Sequence, residues 1–298
     1  MAELEFVRTD AFAADPYVGN PTGVVFGSDA LDETQMQRIA QEMSLPVTAF
    51  VLRSRKADVR LRFFSPQAEE PLSGHGTISA LWSIAEAQGL AEGSRRRLET
   101  QVGILPFAVE GSPEGPSKVW MTQKRPLFFT EGDVKEVASA LSMGADALFH
   151  EQFPLVRAST GIPYLLVAVK SIDAIGRLEP KKDEVALLCK ELDIAGIQLF
   201  TWSVRDPGST VHARCFPASQ WIPENPASGM AAGALGAYLV EHEFIPREKF
   251  ETIVVEQGYF IGRPSKVHVR VEKRQATIRK VEVGGSARTT FRGRLLVP

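Results

Sequence analysis

Two short segments hold the residue types and spacing that chemistry needs. Ser73-Gly74-His75-Gly76-Thr77 sets an imidazole among small residues at the head of an apolar run, Ile78 to Ala85. Imidazole is the side chain whose ordinary proton affinity lies near neutral pH, so His75 is a candidate proton carrier. Ser228-Gly229-Met230-Ala231-Ala232 opens a second apolar run, Gly233 to Val240. Each segment reads as a small-residue turn running into a buried helix. The first N–H groups of a helix have no intrahelical acceptor and sit at its positive end, so they attract carboxylates. Glycine in such a turn lets a ligand approach the backbone closely. Gly74 and Gly229 are 155 positions apart (229 − 74), about half of the 298-residue chain. Two like lobes, each offering a helix start, could hold one anionic small molecule between them.

The elements around these turns repeat as well. Arg62-Phe63-Phe64-Ser65-Pro66 precedes the first turn and Arg214-Cys215-Phe216-Pro217-Ala218 the second, both strand-like. Further strands are expected at 5–12, 23–26, 48–52 and 59–64, with a turn cluster from Asp15 to Thr22. Asp32 reads as the N-cap of a helix over 33–43, where Met36, Ile39, Ala40 and Met43 fall at helical spacing. The first glycine-opened helix is expected from about Gly76 to Gln88, stopping near Gly89. Strands follow at 107–110 and 119–121, and a new unit begins near Pro126. Beyond it the pattern gives helices over 133–141 and 182–192. It gives strands over 165–169, 198–202, 252–255, 267–271 and 276–281, and a tail strand over 289–297 returning to the first lobe. The expected division is 1–125, with about 284–298 returning to it, and 126–283. Strand and helix do not alternate regularly, so the plan is α+β rather than doubly wound. Gly258-Tyr259-Phe260-Ile261-Gly262 has no phosphate-loop pattern and no helix after it, and gets no nucleotide role.

Composition narrows the function classes. Apolar residues make up 44% and charged residues 23%, ordinary for a globular protein, and the net charge of −2 gives no global support for binding nucleic acid or anionic membranes. Arg95-Arg96-Arg97 is expected to be a solvated loop. Cys189 and Cys215, the only cysteines, support neither a disulfide framework nor a cysteine-rich metal site. His150, His212, His242 and His268 show no metal-ligand spacing and read as structural or surface residues; no metal site is expected. The N-terminus lacks a signal-peptide pattern and no apolar run is long enough to span a bilayer, so a reducing, cytoplasmic location is the expectation.

Several stretches, in order and at their spacing, resemble the phenazine-biosynthesis isomerase-like (PhzF-like) family, which shares its fold with diaminopimelate epimerase. They are Asp10-Ala11-Phe12 with Tyr17-Val18-Gly19-Asn20-Pro21, Gln37 to Leu45, Arg62 to Glu69 with Gly74-His75, Glu224 to Gly229, and Glu256-Gln257-Gly258 with Gly262 to Ser265. The resemblance covers essentially the whole chain. It implies two pseudo-symmetric lobes, each a β-barrel-like sheet around a central helix, with the active site in the cleft between them. It also implies a homodimer and a reaction without a cofactor. Substrate contacts are then expected from Asn20, Val47, Ser73, Gly74, Gly76, Ser228, Gly229 and Met230.

The resemblance further implies three acid–base positions, two of which depart from the family pattern. The family glutamate lies in a pattern like Leu-Ser-Glu-Thr-Ala-Phe; the matching stretch is Leu45-Pro46-Val47-Thr48-Ala49-Phe50, with Val47 in its place. The histidine is kept as His75. The aspartate is replaced by Asn225, and Met230 stands where a small or hydroxyl residue is usual. Valine cannot titrate and asparagine does not exchange protons in this role. Losing a positioned acid–base group typically costs about 10²–10⁴ in rate. The remaining candidates for catalysis are His75, Asn225 and its neighbour Glu224, which could supply a displaced carboxylate; Glu69 reads as structural. The related racemases use two cysteines at the places of Ser73 and Ser228, and serine is a poor carbon-acid base, so that chemistry is not expected. Val47 and Met230 make the site more apolar, pointing to a substrate more hydrophobic than the family's dihydro-hydroxyanthranilate. Two readings stay open: an isomerase, cyclase or lyase with atypical catalysis, and an inactive relative that binds a metabolite or protein.

Overall fold

A computed structural model describes residues 2–89, 95–112, 114–130, 133–149, 151–219 and 221–297. The chain divides into two compact units, Met1–Thr122 with Gly284–Pro298, and Gln123–Val283.

The first unit contains β1 (Ala2–Ala11), β2 (Asn20–Val25), α1 (Glu33–Met43), β3 (Val47–Leu52), β4 (Val59–Phe64), β5 (Glu69–Glu70), α2 (Gly74–Gln88), β6 (Arg95–Thr100), β7 (Gly103–Ser112) and β8 (Gly115–Thr122). The strand Ala287–Val297 closes it, antiparallel to β1. β1 pairs antiparallel with β2, β2 parallel with β3, β3 antiparallel with β4, and β4 parallel with β6. β6, β7 and β8 continue as an antiparallel meander. Side chains alternate across a strand, so this sheet has two faces. On one, Phe6, Val25, Phe50 and Phe64 pack against Met36 and Ala40 of α1. α1 begins in a capping box: Asp32 Oδ1 accepts the Gln35 N–H at 2.8 Å while the Gln35 side chain accepts the Asp32 N–H at 3.0 Å. On the other face lies α2, against β1, β2, β3 and β8. Its residues from Gly74 to Ala85 are all buried, as a helix apolar on every side requires.

The second unit contains β9 (Leu127–Thr130), α3 (Val134–Ala140), β10 (Val156–Ser159), β11 (Pro163–Ala168), α4 (Ile172–Gly176), α5 (Lys182–Glu191), β12 (Gly196–Thr201), β13 (Val211–Pro217), α6 (Gly229–Glu241), β14 (Ile253–Gln257), β15 (Ser265–Arg274) and β16 (Thr277–Gly285); the closing strand of the first unit is β17. β9, β10 and β11 run antiparallel, β11 parallel with β12, β12 antiparallel with β13, β13 parallel with β14, and β14 antiparallel with β15. The pairing rules from β2 to β7 and from β11 to β15 are therefore the same, with α2 and α6 inserted at the same point. α6 packs on β10, β11 and β15, and Gly229 to Val240 are all buried. α3, α4 and α5 cover the other sheet face through Val137, Ile175, Val185 and Leu188.

Three local expectations are corrected. Asn20 to Thr22 belong to β2, not to the preceding turn: they pair with Ala11, Asp10 and Thr9 of β1. Pro21 is tolerated there because β3 begins pairing only at Thr22, so no ladder bond is lost on that side. α2 starts at Gly74, two residues earlier than the spacing predicts, because Ser73 rather than a later residue caps it. Arg95 to Arg97 form the start of β6, opposite Ala108, Phe107 and Pro106, rather than a loop.

Candidate active site

In the first unit the site is built on the start of α2. Ser73 has extended backbone, and its Oγ accepts the Gly76 N–H at 3.1 Å while its carbonyl accepts the Thr77 N–H at 2.9 Å. This satisfies the third and fourth N–H groups and leaves those of Gly74 and His75 without intrahelical acceptors. Gly76 is required by packing. A Cβ there would stand 2.9 Å from Ser73 Oγ and 3.0 Å from Phe63 Cδ1. His75 is only 8% exposed. Its Nδ1 lies 3.4 Å from Ser73 Oγ, and its Nε2 is buried with no hydrogen-bond partner among the described residues. Burial pushes the imidazole pKa down to about 4, so the ring is neutral at neutral pH.

Asn20 and Val47 open the parallel strands β2 and β3, and both are buried. Val47 lies on the α2 face of the sheet. Its neighbour one pleat along, Ala49, pairs with Phe63, the residue that meets Gly76. The side wall it presents to that face is purely apolar.

In the second unit Ser228 repeats the cap. Its Oγ accepts the Ala231 N–H at 3.2 Å and its carbonyl accepts the Ala232 N–H at 2.9 Å. The Ser228 hydroxyl donates to Tyr164 Oη at 3.5 Å. Gln123 Nε2 donates to the Gly229 carbonyl at 3.0 Å and contacts Met230 Sδ at 3.4 Å. Met230 is buried, and its Cε would lie 3.2 Å from a Cβ at Gly161, whose φ of +139° itself favours glycine. Met230 is thus a fixed apolar plug in the first turn of α6.

Asn225 and Glu224 lie on the approach to α6. The Asn225 N–H donates to the Cys215 carbonyl at 2.8 Å, and Asn225 Oδ1 accepts the Ala227 N–H at 3.2 Å. The Asn225 carbonyl accepts from Gln257 Nε2 at 2.6 Å. Asn225 therefore shapes the turn that leads into Ser228. Both carboxylate oxygens of Glu224 receive Arg214, at 3.1 Å from Nε and 2.7 Å from Nη2, and Arg214 Nη1 also donates to the carbonyls of Ile175 and Leu178. Glu224 is buried and engaged by this guanidinium.

The remaining titratable groups have structural settings. Glu69 is paired with Arg62 through both oxygens at 2.6 Å. His212 Nδ1 meets Glu256 Oε1 at 2.8 Å, both fully buried, and the Glu256 carboxylate also accepts the N–H groups of Arg205 and Asp206. His242 stacks on Phe244, with centroids 5.4 Å apart. His268 lies on β15, and His150 is outside the described residues. Burial pushes the Cys189 thiol up to about 12 and raises Cys215 as well; neither belongs to a glycine turn. Among the described residues no group of three or more His, Cys, Asp or Glu could hold a metal ion, and no helix is long and apolar enough to cross a membrane. Sequence reasoning missed Gln123 and Tyr164, which touch the start of α6; Gln123 follows β8 and Tyr164 lies on β11, with no local motif to mark either.

Comparison with known proteins follows the same lines. The chain matches the model of the PhzC-PhzF family, described as phenazine biosynthesis-like protein, over residues 9–293. It is 35% identical over 291 residues to the uncharacterized isomerase YfhB of Bacillus subtilis, covering 96% of this chain and 97% of that protein. It is 32% identical over 293 residues to the trans-2,3-dihydro-3-hydroxyanthranilate isomerase of Pseudomonas aeruginosa, covering 97% and 98%. The crystal structure of a Bacillus anthracis phenazine biosynthesis protein of the PhzF family superimposes with a TM-score of 0.89 at 30% identity, covering all of both chains. With the repeated helix-start architecture and matches that span nearly the full length, the chain belongs to the PhzC-PhzF family of phenazine biosynthesis-like proteins.

Proposed function

We propose that the chain is a cofactor-independent isomerase of a small carboxylated metabolite, with His75 as its proton carrier. The observation that carries this is the buried Nε2 of His75, without a hydrogen-bond partner among the described residues, beside two helix N–H groups that lack intrahelical acceptors. The isomerase names of its relatives support the reaction class. The ligand's carboxylate takes the helix N–H groups of Gly74 and His75, and the reacting carbon takes His75. A bound carboxylate raises the proton affinity of the neutral imidazole, which burial alone depresses. Nε2 then removes a proton from one carbon of an allylic system and returns it to another. The double bond shifts and the composition is unchanged. Ser73 Oγ holds Nδ1, which leaves Nε2 toward the ligand.

Val47 and Asn225 supply no second proton carrier, and both carboxylate oxygens of Glu224 are engaged by Arg214. The reaction then depends more on orientation and hydrogen-bond polarisation than on a strong base. Val47, on the α2 face of its sheet, suits a substrate with an apolar edge. Cyclase or lyase chemistry on the same pocket, and homodimeric assembly, belong to the same reading. The second reading, a binding module without turnover, is favoured by one observation: His75 is the only titratable side chain in either glycine turn.

The test is turnover of trans-2,3-dihydro-3-hydroxyanthranilate in deuterated water. It compares the native chain, His75→Asn, and the Val47→Glu, Asn225→Asp double variant. Carbon-bound deuterium from the native chain that disappears in His75→Asn supports the isomerase. Incorporation that survives His75→Asn overturns the role of His75. Incorporation by the double variant alone shows a family pocket whose acid–base pair has been exchanged, and moves the substrate search to more hydrophobic acids. Binding without incorporation by any of the three supports the binding module.

A further inference from the structure

A second buried polar group on the α2 face of the first unit has no partner. Thr22 is fully buried, and its hydroxyl has no hydrogen-bond partner among the described residues. Its direction follows from the register. Residues paired across neighbouring strands share a face. Thr22 pairs with Thr9 of β1, and Thr9 Oγ1 lies 2.8 Å from Ser83 Oγ of α2. Thr22 therefore faces α2 too. On its other side it pairs with Val47, and the next pair along that face, Ala49 and Phe63, meets the first turn of α2 at Gly76. Thr9, Thr22 and Val47 form one row under the helix. Thr9 is satisfied by Ser83 and Val47 has nothing to offer, so the Thr22 hydroxyl is the one hydrogen-bonding group of this row left over.

An unsatisfied buried hydroxyl costs on the order of 1–3 kcal/mol, so a fold that keeps one has left a stabilising interaction to something else. We propose that Thr22 is a ligand-positioning residue, hydrogen-bonded to a neutral oxygen substituent (a hydroxyl or carbonyl) of the molecule that His75 acts on. This deepens the isomerase reading and rests on it. Thr22 and His75 Nε2 are two unpartnered, more than nine-tenths buried polar groups on elements that pack together, α2 on β2. Thr22 stands beside the position where the resemblance places a carboxylate. A neutral hydroxyl there can donate or accept one bond but carries no charge. It therefore fits a hydroxyl or carbonyl oxygen at that edge of the ligand and offers no charge to balance an ammonium group.

The test uses 3-hydroxyanthranilate, a stable aromatic hydroxy acid, as probe. Calorimetric titration compares the native chain, Thr22→Val, Thr22→Ser and His75→Asn, with thermal unfolding of each. Thr22→Val keeps the shape and removes the hydroxyl. Its Kd should rise about two- to tenfold, the effect of one hydrogen bond. Thr22→Ser should stay within about twofold of native, because it keeps the bond. The ligand-free midpoint of Thr22→Val should equal or exceed that of the native chain, since an unpaired buried hydroxyl has been removed. A lower midpoint would reveal a structural partner and overturn the proposal. Unchanged affinity in Thr22→Val, with affinity lost in His75→Asn, would remove Thr22 from the site while leaving the isomerase reading intact. Absence of native binding would sink the ligand class proposed for the site, and Thr22's role with it.

Discussion

Arg214 and Glu224 are joined by two N–H···O bonds, 3.1 and 2.7 Å long, with both side chains buried. The pair lies one residue before Asn225 and braces the strand β13 against the carbonyls of Ile175 and Leu178. It braces the approach to α6 and engages the carboxylate next in sequence to Asn225.

Glu224→Ala should therefore act on stability first. Removing one partner of a buried pair leaves an uncompensated charge, which costs about 3–5 kcal/mol. Urea unfolding measures this. A Glu224→Ala chain as stable as the native one, but without turnover, would instead make Glu224 a proton carrier.

His75 gives a pH signature with a definite sign. Its folded-state pKa of about 4 lies below the ordinary value of 6.5, because burial disfavours the charged ring. The unfolded chain thus binds the proton more readily between these values. The stability contribution is complete above about pH 6.5 and is lost as pH falls toward 4; the full difference is roughly 3 kcal/mol. His75→Gln should flatten the fall in unfolding free energy between pH 7 and 4 by about that amount. Equal slopes for the two chains would show that the ring is hydrated rather than buried.

The paired caps make a third prediction. Ser73→Ala and Ser228→Ala each remove the acceptor of one first-turn N–H, at a cost of about 0.5–2 kcal/mol. The two losses in stability should be similar. Their effects on turnover should differ, since Ser73 Oγ also holds His75 Nδ1 whereas Ser228 Oγ contacts Tyr164. Equal activity losses would mean that Ser73 does not orient the imidazole.

Much of this arrangement is legible in the sequence because it is local. The small-residue turns before two apolar runs mark α2 and α6, and Asp32 before Met36, Ile39, Ala40 and Met43 marks α1, since capping and helical periodicity act within a few residues. The turn cluster before Gly23 misleads for the opposite reason: ladder bonds to β1, formed across the sheet, pull Asn20 to Thr22 into a strand. Arg95 to Arg97 fail likewise, because β7 rather than their own charge decides their conformation. Thr22 and Gln123 have no sequence signal at all. The place of Thr22 under α2 comes from strand register, and that of Gln123 from its long-range contacts with Gly229 and Met230, which no spacing along the chain encodes. The commitment of Glu224 to Arg214 is equally a tertiary fact, although the residues are only ten apart in sequence.

If the second turn binds ligand as the family resemblance implies, Met230 sets the size of what it accepts. The side chain is buried in the first turn of α6, held at Sδ by Gln123 and packed at Cε over the position of Gly161. Met230→Ala should cost about 2–5 kcal/mol as a large-to-small change in a packed site. Gln123 keeps its stronger bond to the Gly229 carbonyl, so the turn itself should hold. The vacated volume should then admit bulkier carboxylates, seen as tighter binding of ring-substituted 3-hydroxyanthranilates than of the parent compound. If the variant loses stability but its order of preference among these probes is unchanged, Met230 is core packing and does not line the site.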